Sequence, residues 1–327
     1  MKKLLCLILA TFMVLSMCAC SGNNAATETT APTEATLPKN IMQKSDPAED
    51  DTLNILLIGS SFCYYYVEEL WGLLDAAGIK AKVCNVYYSG CPLEKHYNWW
   101  KSGEANYEFY VTDENGRNGF NEYNLDTCLM SANWDVISLQ ESSSKIRAAG
   151  VEQHLINTRQ WRSELWGYIK TQFPLSNYYW QQQWSYQIGY DRSGLQVTTA
   201  EQQAEMDRDY RNFALAVCEE DDLIRVNPGE AWAIARQNPN VGDVLCKRLS
   251  VNIGEGDYYH DGDIGGGQYL NACVWFEVIT GQSCIGNTYR PVYKLDAMTY
   301  ELDEAMVTAL QESAHQAVEQ LSNNTPT

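Results

Sequence analysis

Positive charge is scarce in this chain: 23 Lys and Arg stand against 42 Asp and Glu, a formal net charge of −19. A field of that sign repels nucleic acid and anionic lipid head groups, so neither is an expected partner. Histidine is scarcer still, with only His96, His154, His260 and His315. Eleven cysteines are present, yet no CxxC spacing occurs, which argues against a zinc site or a thioredoxin-like motif. Gly265-Gly-Gly267 follows no strand-like segment and lacks the GxGxxG spacing of a dinucleotide fingerprint. Asp261-Gly-Asp263-Ile-Gly265 starts like a calcium loop, but Ala272 stands where the twelfth-position Glu belongs. The sequence therefore implies no metal and no cofactor. Beyond the N-terminal region there is no long apolar run, no internal repeat and no low-complexity tract.

The first residues read as an address. Lys2 and Lys3 precede an apolar run, Leu4 to Met17, that is short for a membrane span. Cleavage after Ala19 would leave Cys20 to carry a lipid, as in a bacterial lipoprotein. Cys18 is the neighbouring alternative, and an ordinary secretory leader is the simpler one. Residues 20–51 are rich in Thr, Ala, Glu, Pro and Asn without apolar periodicity, which is the composition of a tether. The expectation is a leader at 1–19, a tether at 20–51 and one domain at 52–322, held on the outer face of a cell membrane by lipid alone.

Within that domain, strand-like and helix-like segments alternate. Leu53–Ile58, Ala81–Tyr87, Trp134–Leu139 and Leu223–Val226 read as short buried strands. Ser176–Tyr186 reads as a strand running into a loop. Helical spacing marks 67–77, 156–173, 200–218, 228–236, 269–279 and 302–321. Tyr97–Tyr123 is expected to be a lid or an irregular insertion. The alternation implies an α/β fold with a parallel sheet covered on both faces. Ligands of such sheets bind at the carboxyl ends of the strands. Gly59-Ser60-Ser61, Gln140-Glu141-Ser142 and the segment 181–185 all follow strands there.

Two segments carry chemistry. Ser61, directly after the first strand, can present its hydroxyl to that crevice, with Ser60 the adjacent alternative. Some two hundred residues later, Asp257-Tyr-Tyr-His260 places a carboxylate one helical turn from a histidine. The acid can fix the imidazole tautomer and leave the other ring nitrogen to activate a serine. The order Ser, Asp, His is that of a hydrolytic triad. A cysteine hydrolase using Cys63 or Cys91 is a further possibility with no strong motif.

These residues reach a family. Leu56-Leu-Ile-Gly-Ser-Ser-Phe62, Tyr87-Tyr-Ser-Gly-Cys-Pro-Leu93, Asp135-Val-Ile-Ser-Leu-Gln140 and Asp257-x-x-His260 resemble, in order, the four blocks of the SGNH (GDSL-like) hydrolases. The helix-like Gly267–Glu277 resembles the segment that follows the histidine in an uncharacterised gut-bacterial branch, catalogued as a domain of unknown function. The resemblance implies a flavodoxin-like three-layer sandwich with a central parallel sheet. It implies Ser61 as nucleophile, His260 as base and Asp257 as orienting acid. It assigns the oxyanion to the backbone N–H groups of Ser61 and Gly90 and to a side-chain amide. The family supplies that amide from Asn; Gln140 stands in its place. Ser60 replaces the usual Asp or Asn, and Asp261 follows the histidine where Leu or Pro is common.

Trp99, Trp100, Trp180 and Trp184 fall near the expected strand ends, and sugars stack their apolar faces on such rings. Trp180, Trp184 and Glu141 are the candidate substrate contacts. The reading is an exported serine esterase that removes acyl groups, acetyl first among them, from a glycan. The alternative is a carbohydrate-binding lipoprotein of the same fold without turnover.

Overall fold

Leu53–Gly59 (β1) is apolar at consecutive positions rather than alternate ones, because both of its faces are covered: Ile55 to Ile58 are wholly buried. The computed structural model describes residues 51–192, 195–241, 266–295 and 298–323. In it β1 is central to a seven-stranded sheet. Ala81–Tyr87 (β2) pairs with it in parallel on one side and Val136–Leu139 (β5) on the other. Asn177–Gln181 (β6) and Ile224–Val226 (β9) extend the parallel part beyond β5. Tyr107–Asp113 (β3) and Gly116–Tyr123 (β4) run antiparallel beyond β2, so the order is β4-β3-β2-β1-β5-β6-β9.

Helices cover the sheet in the layers the sequence implied. Val67–Ala76 (α1) packs on Gly266–Thr280 (α8), which packs on Glu304–Asn323 (α9). Leu93–Ser102 (α2), Val151–Gln172 (α5) and Ala200–Asp221 (α6) form another group. Short helices at Leu125–Leu129 (α3), Ser143–Ala149 (α4) and Pro228–Ala235 (α7) fill the connections. Two small hairpins, Tyr190–Arg192 (β7) with Leu195–Val197 (β8) and Val292–Leu295 (β10) with Met298–Glu301 (β11), lie outside the main sheet. From Gly266 to Glu277 every residue of α8 is buried, which explains an apolar run with almost no polar stripe. No helix among the described residues is long and apolar enough to cross a membrane.

Tyr97–Tyr123 needs correction: it is neither lid nor padding. Its first residues belong to α2 and the rest is the β3–β4 hairpin, which widens the sheet by two strands. Tyr107, Phe109 and Val111 alternate inward along β3, and Asn115-Gly116 is a hairpin turn signal. The edge strand β4 is largely exposed, and near its end Glu122 takes a left-handed φ of 65° beside a register shift at Tyr107/Phe109. At the other edge, β9 has only three residues.

Candidate functional site

The chain leaves β1 in opposite directions on the two sides of the sheet. It passes first to β2, and only later reaches β5, which also neighbours β1. A crevice opens at the carboxyl ends where such a reversal occurs. Ser60 is still extended there (φ −110°, ψ −161°), and Ser61–Cys63 then makes one 3-10 turn. The turn is closed by Cys63 N to Ser60 O at 3.0 Å and Tyr64 N to Ser61 O at 3.1 Å.

Neighbouring strands clamp this turn. Asn85 of β2 donates its amide to the Cys63 carbonyl. Gln181 at the end of β6 donates to the Phe62 carbonyl at 2.6 Å. Gln181 also donates to Gln140 Oε1 at 3.1 Å, while its own Oε1 accepts from Trp275 Nε1 at 3.0 Å and from the Tyr66 hydroxyl. With its carbonyl oxygen committed to Gln181, Gln140 must direct its NH₂ toward β1. It donates to Ser60 Oγ at 3.1 Å and to Ser60 O at 3.3 Å. Gly59 makes room for this crossing. A Cβ there would lie 2.4 Å from Gln140 Cγ and 2.5 Å from its Nε2.

On the other side, Tyr88 N bonds Gly59 O at 3.3 Å and Cys91 N closes a turn onto Tyr88 O at 3.1 Å. Gly90 is the exposed tip of that turn, with a left-handed φ of 60°. Glu141 anchors the chain beyond it. The carboxylate is wholly buried; its Oε1 accepts from Leu93 N (2.9 Å) and Ser142 N (2.6 Å), and its Oε2 lies 2.8 Å from His154 Nε2. A carboxylate accepting several hydrogen bonds and facing a histidine satisfies its lone pairs inside the protein.

The structure thus brings three of the expected site residues to one end of β1. Ser61, 5% exposed, is flanked by the Gly90 turn and by the 1%-exposed Gln140. His260 and Asp257 lie outside the described residues. Glu141, expected at the substrate, has its oxygens held by the protein as given above. Trp180 and Trp184, also expected there, are 0% and 1% exposed. Trp184 stacks parallel on Trp232 at 5.5 Å and leans on Phe62 at 4.4 Å, supporting the turn that carries Ser61 from behind. Trp180 packs toward Phe213 at 6.1 Å. Sequence reasoning missed Asn85, Tyr66 and Trp275 as builders of the site, and it placed Gln181 at a strand end without this clamping role. The available signal was Asn85, a polar residue set within the apolar stretch Val83–Val86 of β2.

The cysteine candidates are chemically quiet. Burial pushes the Cys63 thiol up to about 12, and the Cys91 thiol is also raised by burial. Neither is a thiolate near neutral pH. His96 stacks on Tyr107, and burial lowers it to about 3, so it is a neutral core residue. Among the described residues no group of His, Cys, Asp and Glu is arranged to hold a metal.

Comparison with known proteins agrees with this architecture. The family DUF4886, described as a domain of unknown function, matches residues 54–306. The solved structure of a DUF4886 family protein from Bacteroides uniformis is 25% identical with a TM-score of 0.68, covering 85% of this chain and 98% of that one. More distant matches are a GDSL-like lipase candidate from Parabacteroides merdae (19% identity, TM-score 0.44, 74% and 98% covered) and an acetyl xylan esterase (13%, 0.41, 69% and 100%). No curated protein matches the chain. The family model spans residues 54–306 and the Bacteroides uniformis structure matches nearly end to end: the chain belongs to the DUF4886 family.

Proposed function

We propose that the protein is a serine ester hydrolase acting on an O-acylated glycan, with acetyl the first acyl group to test. One observation supports this most directly: Ser61 begins a clamped turn at the carboxyl end of the central strand, between the Gly90 turn and the Gln140 amide. A hydroxyl so placed meets a substrate entering the crevice, and the backbone N–H groups of Ser61 and Gly90 together with the Gln140 amide are the donors for charge developing on its carbonyl oxygen. In the reaction, His260 takes the Ser61 proton as Oγ bonds the acyl carbon, and Asp257 holds the imidazole. The tetrahedral species collapses, the C–O bond to the sugar breaks, and His260 returns the proton to the leaving alcohol. Water, deprotonated by His260, then releases the acid and restores the serine.

The proposal includes the setting. A leader at 1–19 is removed, Cys20 carries the lipid, and residues 20–51 hold a domain spanning 52–322 off the outer membrane face. Neither nucleic acid nor a cofactor takes part.

The test is p-nitrophenol release from p-nitrophenyl acetate by the soluble domain, beside Ser61→Ala and His260→Ala. Loss of about a thousandfold or more in both folded variants is expected. Turnover indifferent to both substitutions would remove the esterase reading. In the same preparations the full chain is expected to sediment with membranes and its Cys20→Ala variant to stay behind. A second reading, glycan binding without turnover, draws on one contact: the Gln140 amide is turned to Ser60 Oγ and O. It predicts no turnover of any acyl ester in the same assay.

A further inference from the structure

A second cavity of about 420 Å³ opens beside the serine turn, at the lower end of the ~300–1,000 Å³ range of ligand pockets. Tyr64 and Tyr65 follow the turn directly; Glu68 and Glu69 come from α1, Arg117 from β4, and Tyr289 and Tyr293 from the chain before and within β10. Because Tyr64 N bonds Ser61 O, this wall hangs on the nucleophile's own carbonyl. A turn closed in that way keeps the two Cα atoms within about 7 Å.

Its polar groups are unusual. Glu69 is 6% exposed and its Oε2 has no hydrogen-bond partner. Arg117 Nε and one terminal nitrogen are buried and likewise without partners, although the guanidinium is fixed in place. It lies 3.9 Å over the Tyr64 ring and 4.6 Å over the Tyr110 ring. Stacking spends the faces of a guanidinium and leaves its in-plane N–H donors for another group. Its nearest carboxylate oxygen, Glu68 Oε2, is 3.9 Å away, too far for a strong pair. Buried polar atoms left unpaired are costly to a fold, so they call for an explanation.

The ligand chemistry follows from what these groups have in common. An anion would meet Glu68 and Glu69; a cation would meet Arg117. A neutral polyol offers hydroxyls that donate to a carboxylate and accept from a guanidinium, and its C–H faces rest on tyrosine rings. We propose that this pocket binds a neutral saccharide unit and positions the glycan whose ester group meets Ser61. The inference rests on the glycan-ester reading above and adds the place and class of the sugar contact. Burial raises Glu69 to about 7, so that near neutral pH it is shared between a carboxyl that donates and a carboxylate that accepts, and a sugar hydroxyl pairs with either.

The test uses Ser61→Ala protein, so that binding is read without turnover. Isothermal calorimetry with unesterified tetrasaccharides of xylose, mannose, glucose and galactose is expected to show at least one dissociation constant of about 1 mM or tighter. Adding Glu69→Met or Arg117→Met, which keep side-chain bulk and remove the polar atoms, is expected to weaken it at least tenfold. Tyr65→Leu, at the half-buried rim, serves if either of those fails to fold. No binding by any of the four, binding unaffected by these substitutions, or binding confined to a glucuronate oligosaccharide would each overturn the proposal. The outcome is separable from the hydrolase reading. Sugar binding without serine-dependent turnover would leave the pocket and remove the enzyme; serine-dependent turnover without sugar binding would do the reverse.

Discussion

Replacing Gly59 by Ala should damage this protein far more than one methyl suggests. The strand conformation accepts alanine, so the cost is entirely one of contact. The added Cβ would sit 2.4, 2.5 and 2.7 Å from Gln140 Cγ, Nε2 and Cδ. These are side-chain atoms, but Gln140 is 1% exposed and bonded at both ends, to Gln181 and to Ser60, so it has nowhere to retreat. Overpacking of this kind costs about 1–3 kcal/mol. Displacing the amide also forfeits hydrogen bonds of about 1 kcal/mol each and orphans a buried group at about 1–3 kcal/mol. A loss near 3–5 kcal/mol is expected, a large share of the ~5–15 kcal/mol that stabilises a typical domain. Urea unfolding reads it directly as a fall in the midpoint. The stronger test is a double-mutant cycle. Gln140→Ala empties the space into which the methyl would point, so Gly59→Ala should cost far less in that background, with a coupling of about 2 kcal/mol. Additive losses, or an unchanged midpoint in Gly59→Ala alone, would show that the amide does not depend on a bare β1 terminus.

Two further outcomes follow from the buried acids. Glu69 is raised from 4.5 to about 7, mainly by burial, so the folded state holds a proton that the unfolded chain releases. The stability it contributes is therefore full below about pH 4.5 and lost as pH rises through about 7, up to about 3 kcal/mol in all. Urea unfolding at about pH 5 and pH 8 should show Glu69→Met lacking this fall, with Glu68, Arg117 and Tyr293 unchanged around it; parallel curves would refute the assignment. Glu141→Ala leaves His154 and the Leu93 and Ser142 N–H groups without their acceptor and should cost about 3–5 kcal/mol by thermal or urea unfolding; a loss below 1 kcal/mol would mean that Glu141 is no anchor.

Much of the frame was legible because burial writes itself into the sequence. Ile55 to Ile58 are apolar at every position since both sheet faces are covered, and the position of Ser61 after that run was enough to place it at the crevice. The first turn of α5 was not legible: between Val151 and Leu155, Glu152 and Gln153 are exposed, and the buried position is taken by His154, which adds nothing to an apolar pattern. The tryptophans misled for a related reason. Trp180 and Trp184 do stand near strand ends, but an indole there can equally fill the interior, and only tertiary packing decides. Gln181 was seen as part of a polar strand end; its link from β6 through Gln140 to Ser60 depends on side chains 41 and 80 residues apart in the chain meeting across the sheet. No local pattern encodes that.

The two borders of the sheet bear on a hazard separate from catalysis. An unpaired strand is a template on which another chain can build, and long flat borders invite aggregation. Here one border, β9, is three residues long, too brief to guide much growth. The other, β4, is eight residues long, but it is twisted off course near its end by Glu122 and the adjoining register shift. Both borders therefore discourage cross-chain strand pairing, and the sheet can be widened by the β3–β4 hairpin without becoming adhesive.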